Sequence, residues 1–219
     1  MYNNEESRGL IGPASNEIIS TTIDLSVDYA ELSLDSFLET GILKEIPFVK
    51  SIYAIYKIGA GIKEFHFTKK FMTFLREYHS RTISEEKLIE FKNDFHNDKK
   101  YREKITESLI VYNDAFLQVE KSKILAKLFA SYVEGTYDWG HFNHLSTCLN
   151  SAHPKIFAFL EELSQHNFEI PENSREDFPL KLDMEAMVIA SGLGYSYSSW
   201  SAGFELSELG KDLYNYGLR

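Results

Sequence analysis

His141, His144 and Cys148 stand at spacings i, i+3 and i+7, so a helix through them would set two imidazoles and a thiol along one face. Imidazole and thiolate are zinc ligands, and a thiol beside an imidazole can act as nucleophile and base. A structural zinc takes four ligands, however, and no CxxC or HxxxH lies nearby; His153 or Asp138 would have to bend in to complete the set. No oxyanion stabiliser or orienting group accompanies Cys148 and His144. The bland alternative is packing beside the Phe142, Leu145 and Leu149 stripe. His141, His144 and Cys148 are therefore the metal candidates of a chain in which no metal and no cofactor is expected.

Other groupings of reactive residue types point to structure. The neighbouring acids Glu85 and Glu86, like Glu161 and Glu162, project at different azimuths from a helix and read as solvated surface. The Gly59-Ala60-Gly61 stretch lacks the Lys-Ser/Thr that follows in a phosphate loop and reads as a hinge or a close packing point. Glu134, Gly135, Tyr137, Asp138 and Phe142 resemble the turn of an EF-hand, but the alternating acidic ligands that calcium needs are missing, which leaves a corner between two helices. No enzyme is expected.

The charge pattern is more informative. Net charge runs from −7 over residues 1–40 to +4 over 41–80, −1 over 81–150 and −6 over 151–219. The cationic stretch, Ile42 to Tyr78, is also rich in aromatics. Tyr56, Lys57, Lys63, Phe67, Lys69 and Lys70 are the residues expected to meet a protein partner, a second copy of the chain, or an anionic membrane surface. The alternative is internal: the aromatics form core and the cations pair with the acidic ends. A total charge of −10 argues against a nucleic-acid binder, which needs clustered cations for phosphate.

These residues must be positioned by helices. With 219 residues, 43% of them apolar, and only 5 prolines, the chain suits a sizeable helical core joined by short connections. The polar start, residues 1–14, is expected to be a mobile tail. Ile19, Ile23, Val27, Ala30, Leu34 and Phe37 fit a helical stripe over a longer stretch than the alternative strand of 19–27. Pro47 suits the first turn of a helix, Gly59 and Gly61 break it, and a further helix covers Ile62 to Tyr78. Ser84 caps the next. The apolar period of Tyr101 to Val133 slips near Lys121, which predicts a bend or two helices. Gly135 ends that segment, Asp138 caps a helix through Leu149, and Pro154 opens another. A Pro-containing acidic linker, 167–179, then separates a helical domain of 15–166 from a C-terminal unit of 180–219 that reads helix, turn, aromatic run, and a helix capped by Ser207.

That last unit resembles the end of bacterial winged-helix domains, in which a recognition helix, a hairpin wing and a final helix follow one another. Leu206, Ser207, Glu208, Gly210 and Leu213 match the pattern that opens the final helix. DNA-binding members of such a family present cations on the recognition helix and wing, whereas Asp183 to Phe204 holds no Lys or Arg; the resemblance implies a structural or protein-binding unit. The middle of the chain, through Ile46, Pro47, Lys57 and Gly59 and then Lys127, Leu128, Phe129, Tyr132, Gly135, Asp138 and Phe142, is similar to uncharacterised helical bacterial proteins, and its style to accessory proteins of phage defence.

The expectation is thus a mainly α protein, a multi-helix bundle with a small winged-helix-like C-terminal unit. Its expected work is protein interaction or regulation without catalysis; the alternatives are a peripheral membrane effector and a zinc or thiol enzyme. Cys148 is the only cysteine, which suits a reducing cytoplasm. The N-terminus lacks the basic and apolar regions of a secretory signal. Lys44, Glu45, Lys50 and Lys57 interrupt the most apolar window, so no transmembrane helix is expected.

Overall fold

The computed structural model describes residues 4–20, 22–33, 46–56, 62–170, 182–198 and 202–219. They form a mainly helical protein with a small antiparallel sheet near the C-terminus, the fold class read from the sequence. The chain packs as two compact units, Met1–Ala126 and Lys127–Arg219. The division falls at Ala126, ahead of the 167–179 linker where the sequence suggested it.

The first unit begins with α1 (Asn4–Ile19), where a mobile tail was expected. Leu10, Ala14 and Ile18 recur every four residues and are fully or almost fully buried, so the helix is held by the stripe that its polar neighbours obscure. Residues 22–33, expected to extend a helix, form successive turns instead. Their geometry is fixed by side chains: Glu17 accepts from the backbone N–H and hydroxyl of Thr22, and the Asp24 N–H donates to the Tyr29 hydroxyl. Leu34 and Phe37 lie outside the described residues.

α2 (Pro47–Tyr56) and α3 (Ile62–His79) start where the sequence placed them. Phe67, Phe71, Phe74 and Tyr78 stack along α3 with successive ring centroids 5.9, 5.7 and 6.3 Å apart, and Phe48 of α2 meets Phe71 at 4.5 Å. Aromatic contacts at these separations add to the gain from area burial. α4 (Glu85–Asn97), with Ser84 at its N-cap position, and α5 (Lys99–Ala115), capped by Asp98, complete the layer. α1 packs on α2 and α5, while α3 and α4 pack on α5. The expected slip near Lys121 is a true break at residues 116–118, after which α6 (Val119–Val133) begins.

The second unit takes the end of α6, α7 (Trp139–Ser151), α8 (Ile156–Ser164), β1 (Glu169–Ile170), α9 (Leu182–Ala190), β2 (Gly194–Ser198), β3 (Ala202–Leu206) and α10 (Glu208–Leu213), which runs into a π turn, Tyr214–Leu218. Gly135 terminates α6 at φ 82°, and the Asp138 carboxylate accepts from the His141 N–H at the start of α7. The sheet order is β1-β3-β2, with Ile170 opposite Phe204 and Tyr195 opposite Glu205. Ile170, Phe204 and Leu206 of the sheet and Val188 of α9 are fully buried.

Candidate functional site

Among the described residues of the basic stretch, the aromatics of α3 and Lys70 are buried, while Lys50 and Lys63 are exposed. Phe67 is 1% exposed and belongs to the aromatic stack, so it offers no surface to a partner or a bilayer. Lys70 is 5% exposed: its ammonium donates to the carbonyls of Asp114 (3.0 Å) and Phe116. These carbonyls lie where α5 ends, a place short of backbone donors and at the negative end of the helix dipole. Burial pushes the Lys70 pKa down, and the Asp114 carboxylate partly offsets that. Lys69 donates to the Leu32 carbonyl at 2.8 Å and lies 5.8 Å from the Phe65 ring centroid. Farther along α3, Arg76 donates to the Leu25 carbonyl at 3.1 Å and stands 3.6 Å from the Asp28 carboxylate. Lys63 is exposed. Lys57 and the side chain of Tyr56 lie outside the described residues. Residues 25–32 thus engage Lys69 and Arg76, while the aromatic stack buries Phe67 and the end of α5 buries Lys70, which leaves neither of these two available to a partner.

The His and Cys candidates diverge. His141 Nε2 sits 2.8 Å from Asp212 Oδ2 of α10, and its ring lies against Tyr137 with centroids 5.1 Å apart. The Tyr137 hydroxyl donates to the Leu128 carbonyl at 2.7 Å, and burial raises the phenol pKa well above its usual value. His144 is exposed. The Cys148 sulfur faces Gly192, close enough that a Cβ there would lie 3.4 Å from it, and burial raises the thiol pKa, which disfavours a nucleophilic thiolate. Among the described residues no group of three or more His, Cys, Asp or Glu side chains converges on a point that could hold a metal. Asp212 lies 71 residues from His141 in sequence, so no local spacing announced the pair.

The stretch Leu206 to Leu213 has a defined structural task here. The Ser207 hydroxyl accepts from the Gly210 N–H at 3.2 Å and donates to the Gly192 carbonyl at 3.1 Å, while the Ser207 N–H donates to the Leu193 carbonyl. A Cβ on Gly210 would run into that Leu193 carbonyl. The stretch therefore locks α10 onto the turn between α9 and β2, and so fixes the attitude of α9.

That helix is built inside out. Its sequence, LDMEAMVIA, is apolar nearly all round. The residues turned inward are Val188 and Glu185, the latter 6% exposed, whereas Leu182 is 65% and Ile189 39% exposed. Ala186 and Ala190 are also exposed. At 100° per residue, Leu182, Asp183, Ala186, Ile189 and Ala190 fall within an arc of about 120°. An ordinary surface helix would direct the carboxylate of Glu185 outward and Leu182 inward. Sequence periodicity missed this face because an almost uniformly apolar helix has no strong sidedness to read.

Two other concavities carry less chemistry. An open groove of about 550 Å³ follows α5 past Lys100, Glu103, Lys104 and Glu107, whose alternating charges read as a solvated face. A cavity of about 100 Å³ touches Ile18, Tyr78, His79 and Lys92 in the first unit. No protein-family model, curated protein or solved structure matches the chain.

Proposed function

We propose that the protein acts by binding another protein through the outward face of α9, as an interaction or regulatory protein and without catalysing a reaction. The observation that carries this reading is the inversion of α9, with Leu182 and Ile189 in water while Glu185 is buried. Exposed apolar side chains gathered on one rigid element mark surfaces that are covered in use. The Ser207 and Gly210 lock supports the reading because it presents α9 as a fixed platform, which lowers the ordering cost of association.

The electrostatics point the same way. From Leu182 to Leu206 there is no Lys or Arg, so a helix-and-wing unit of this kind has nothing with which to neutralise phosphate. A membrane-surface role for the basic stretch loses support because Phe67 is core and Lys69, Lys70 and Arg76 already donate to backbone carbonyls. Among the described residues no helix is long and apolar enough to cross a membrane. Burial raises the Cys148 pKa, which disfavours the thiol-enzyme alternative. A cytoplasmic setting belongs to the same reading, on the strength of a single cysteine.

The test is photo-crosslinking in the cells that make the protein, with a benzophenone amino acid placed at position 182, 189 or, as a control, 111. Discrete protein adducts from positions 182 and 189 but not from Val111, which is also exposed, are expected. Absence of adducts at 182 and 189 would remove the reading.

A further inference from the structure

We infer that the occupant of the α9 face is a cationic, amphipathic segment of a partner protein, one that sets large apolar side chains against Ala186 and Ala190 and surrounds them with Lys or Arg. The inference rests on the reading of α9 as a docking face and adds the chemistry of what docks.

Shape gives the first half. The nine residues of α9 span about 13 Å at 1.5 Å rise per residue, so the face is little more than two turns long. Leu182 and Ile189 stand at either end of it, with Ala186 and Ala190 between and beside them. Small residues flanked by larger ones leave a shallow step into which a side chain of a second helix can fit, since helices approach closest where the contact residues are small. A face this short suits one helical or extended segment, read through two or three apolar anchors.

Charge gives the second half. The unit Lys127–Arg219 has six Lys and Arg against thirteen Asp and Glu, a net −7. The exposed arc of α9 holds one acid, Asp183, and no base. Two of those thirteen acids, Glu205 and Glu169, stand opposite one another on β3 and β1, with Glu205 engaged by the Lys211 ammonium at 3.0 Å and the Tyr195 hydroxyl at 2.8 Å. A second copy of the chain would bring another −7 to the contact, whereas a cationic segment would be drawn to it; complementary potentials raise the association rate and suppress like-charged competitors.

The experiment titrates three 18-residue helical peptides into isotopically labelled full-length protein and follows backbone amide resonances. All three peptides share one apolar stripe; their polar faces are Lys/Arg, Glu, or Ser/Gln. Light scattering of the free protein runs in parallel. The expected result is that the cationic peptide binds about tenfold or more tighter than the neutral one at moderate salt, weakens as salt rises, and shifts the amides of Leu182, Ala186 and Ile189. Ile189→Glu discriminates contact at this face from diffuse attraction to an acidic protein. It adds negative charge, so diffuse attraction predicts tighter binding, while docking on α9 predicts loss. A weaker effect is expected from Ala186→Glu, whose position lies between the anchors.

Each other outcome overturns the inference in its own way. Equal binding of neutral and cationic peptides at α9 keeps the docking face and discards the cationic partner. A dimer in light scattering that Ile189→Glu dissociates makes a second copy the occupant. Tighter cationic binding to Ile189→Glu, or no peptide shift at α9 from a monomeric protein, removes the cationic segment and the docking reading together.

Discussion

α3 and α9 carry opposite advertisements. α3 is studded with cations and aromatics and looks made for contact, yet its Phe67, Phe71 and Phe74 are buried and Lys69, Lys70 and Arg76 reach back to carbonyls of the chain itself. α9 has no cation and looks like plain core, yet it turns Leu182 and Ile189 to water. Composition alone does not tell an interaction surface from an internal one. What separates them is whether each polar group already has a partner within the fold and which way the apolar residues point.

Substitutions at the two helices should therefore differ in kind. The largest effect is expected from Phe71→Ala, which empties the centre of the aromatic stack and should lower the unfolding free energy by about 3–5 kcal/mol in urea denaturation. Lys70→Met keeps the bulk of the side chain but leaves the Asp114 and Phe116 carbonyls without their donor; a loss of about 1–3 kcal/mol is expected. Lys63→Met on the same helix, at an exposed position, should stay within about 0.5 kcal/mol of the parent.

Titration separates the interior of each unit from its surface. Burial lowers the His79 pKa despite the contact of its Nε2 with the Glu17 carbonyl, so below about pH 6.5 the unfolded chain takes up a proton that the folded one resists, and stability should fall as the solution is acidified. Burial raises the pKa of Tyr78 and Tyr137, so the unfolded chain loses those protons first as pH passes about 10, and stability should fall there too. Urea midpoints measured from pH 5 to 11 should trace a dome, and Tyr78→Phe should flatten its alkaline side. The smallest effect is expected at the docking face: Leu182→Ser, at a position 65% exposed, should change the urea midpoint by an amount equivalent to no more than about 0.5 kcal/mol while abolishing crosslinking from position 189.

How much of this was legible in the sequence follows from how local each determinant is. Pro47, Gly135, Asp138 and Ser207 mark helix ends by their own backbone chemistry, and all four are found at or next to the ends they suggested. The turns of 22–33 were not legible, because Lys69 and Arg76, 37 and 51 residues away, hold Leu32 and Leu25 in place. α1 was hidden for a related reason: Leu10, Ala14 and Ile18 are too thinly spaced among polar residues to stand out until α2 and α5 cover them. Lys70 had the same sequence signal as Lys63, and only the arrival of the end of α5 beside it makes it a cap. The pairing of His141 with Asp212 and the outward turn of α9 likewise depend on how distant segments pack.

The measurement that tests this contrast most directly is photochemical labelling of the native full-length protein with a small diazirine, read residue by residue by mass spectrometry. Strong labelling of Leu182 and Ile189 with little at Phe67, Lys70 and Phe71 is the predicted result. Strong labelling along α3 with α9 protected would contradict the account, and return the basic helix to the surface.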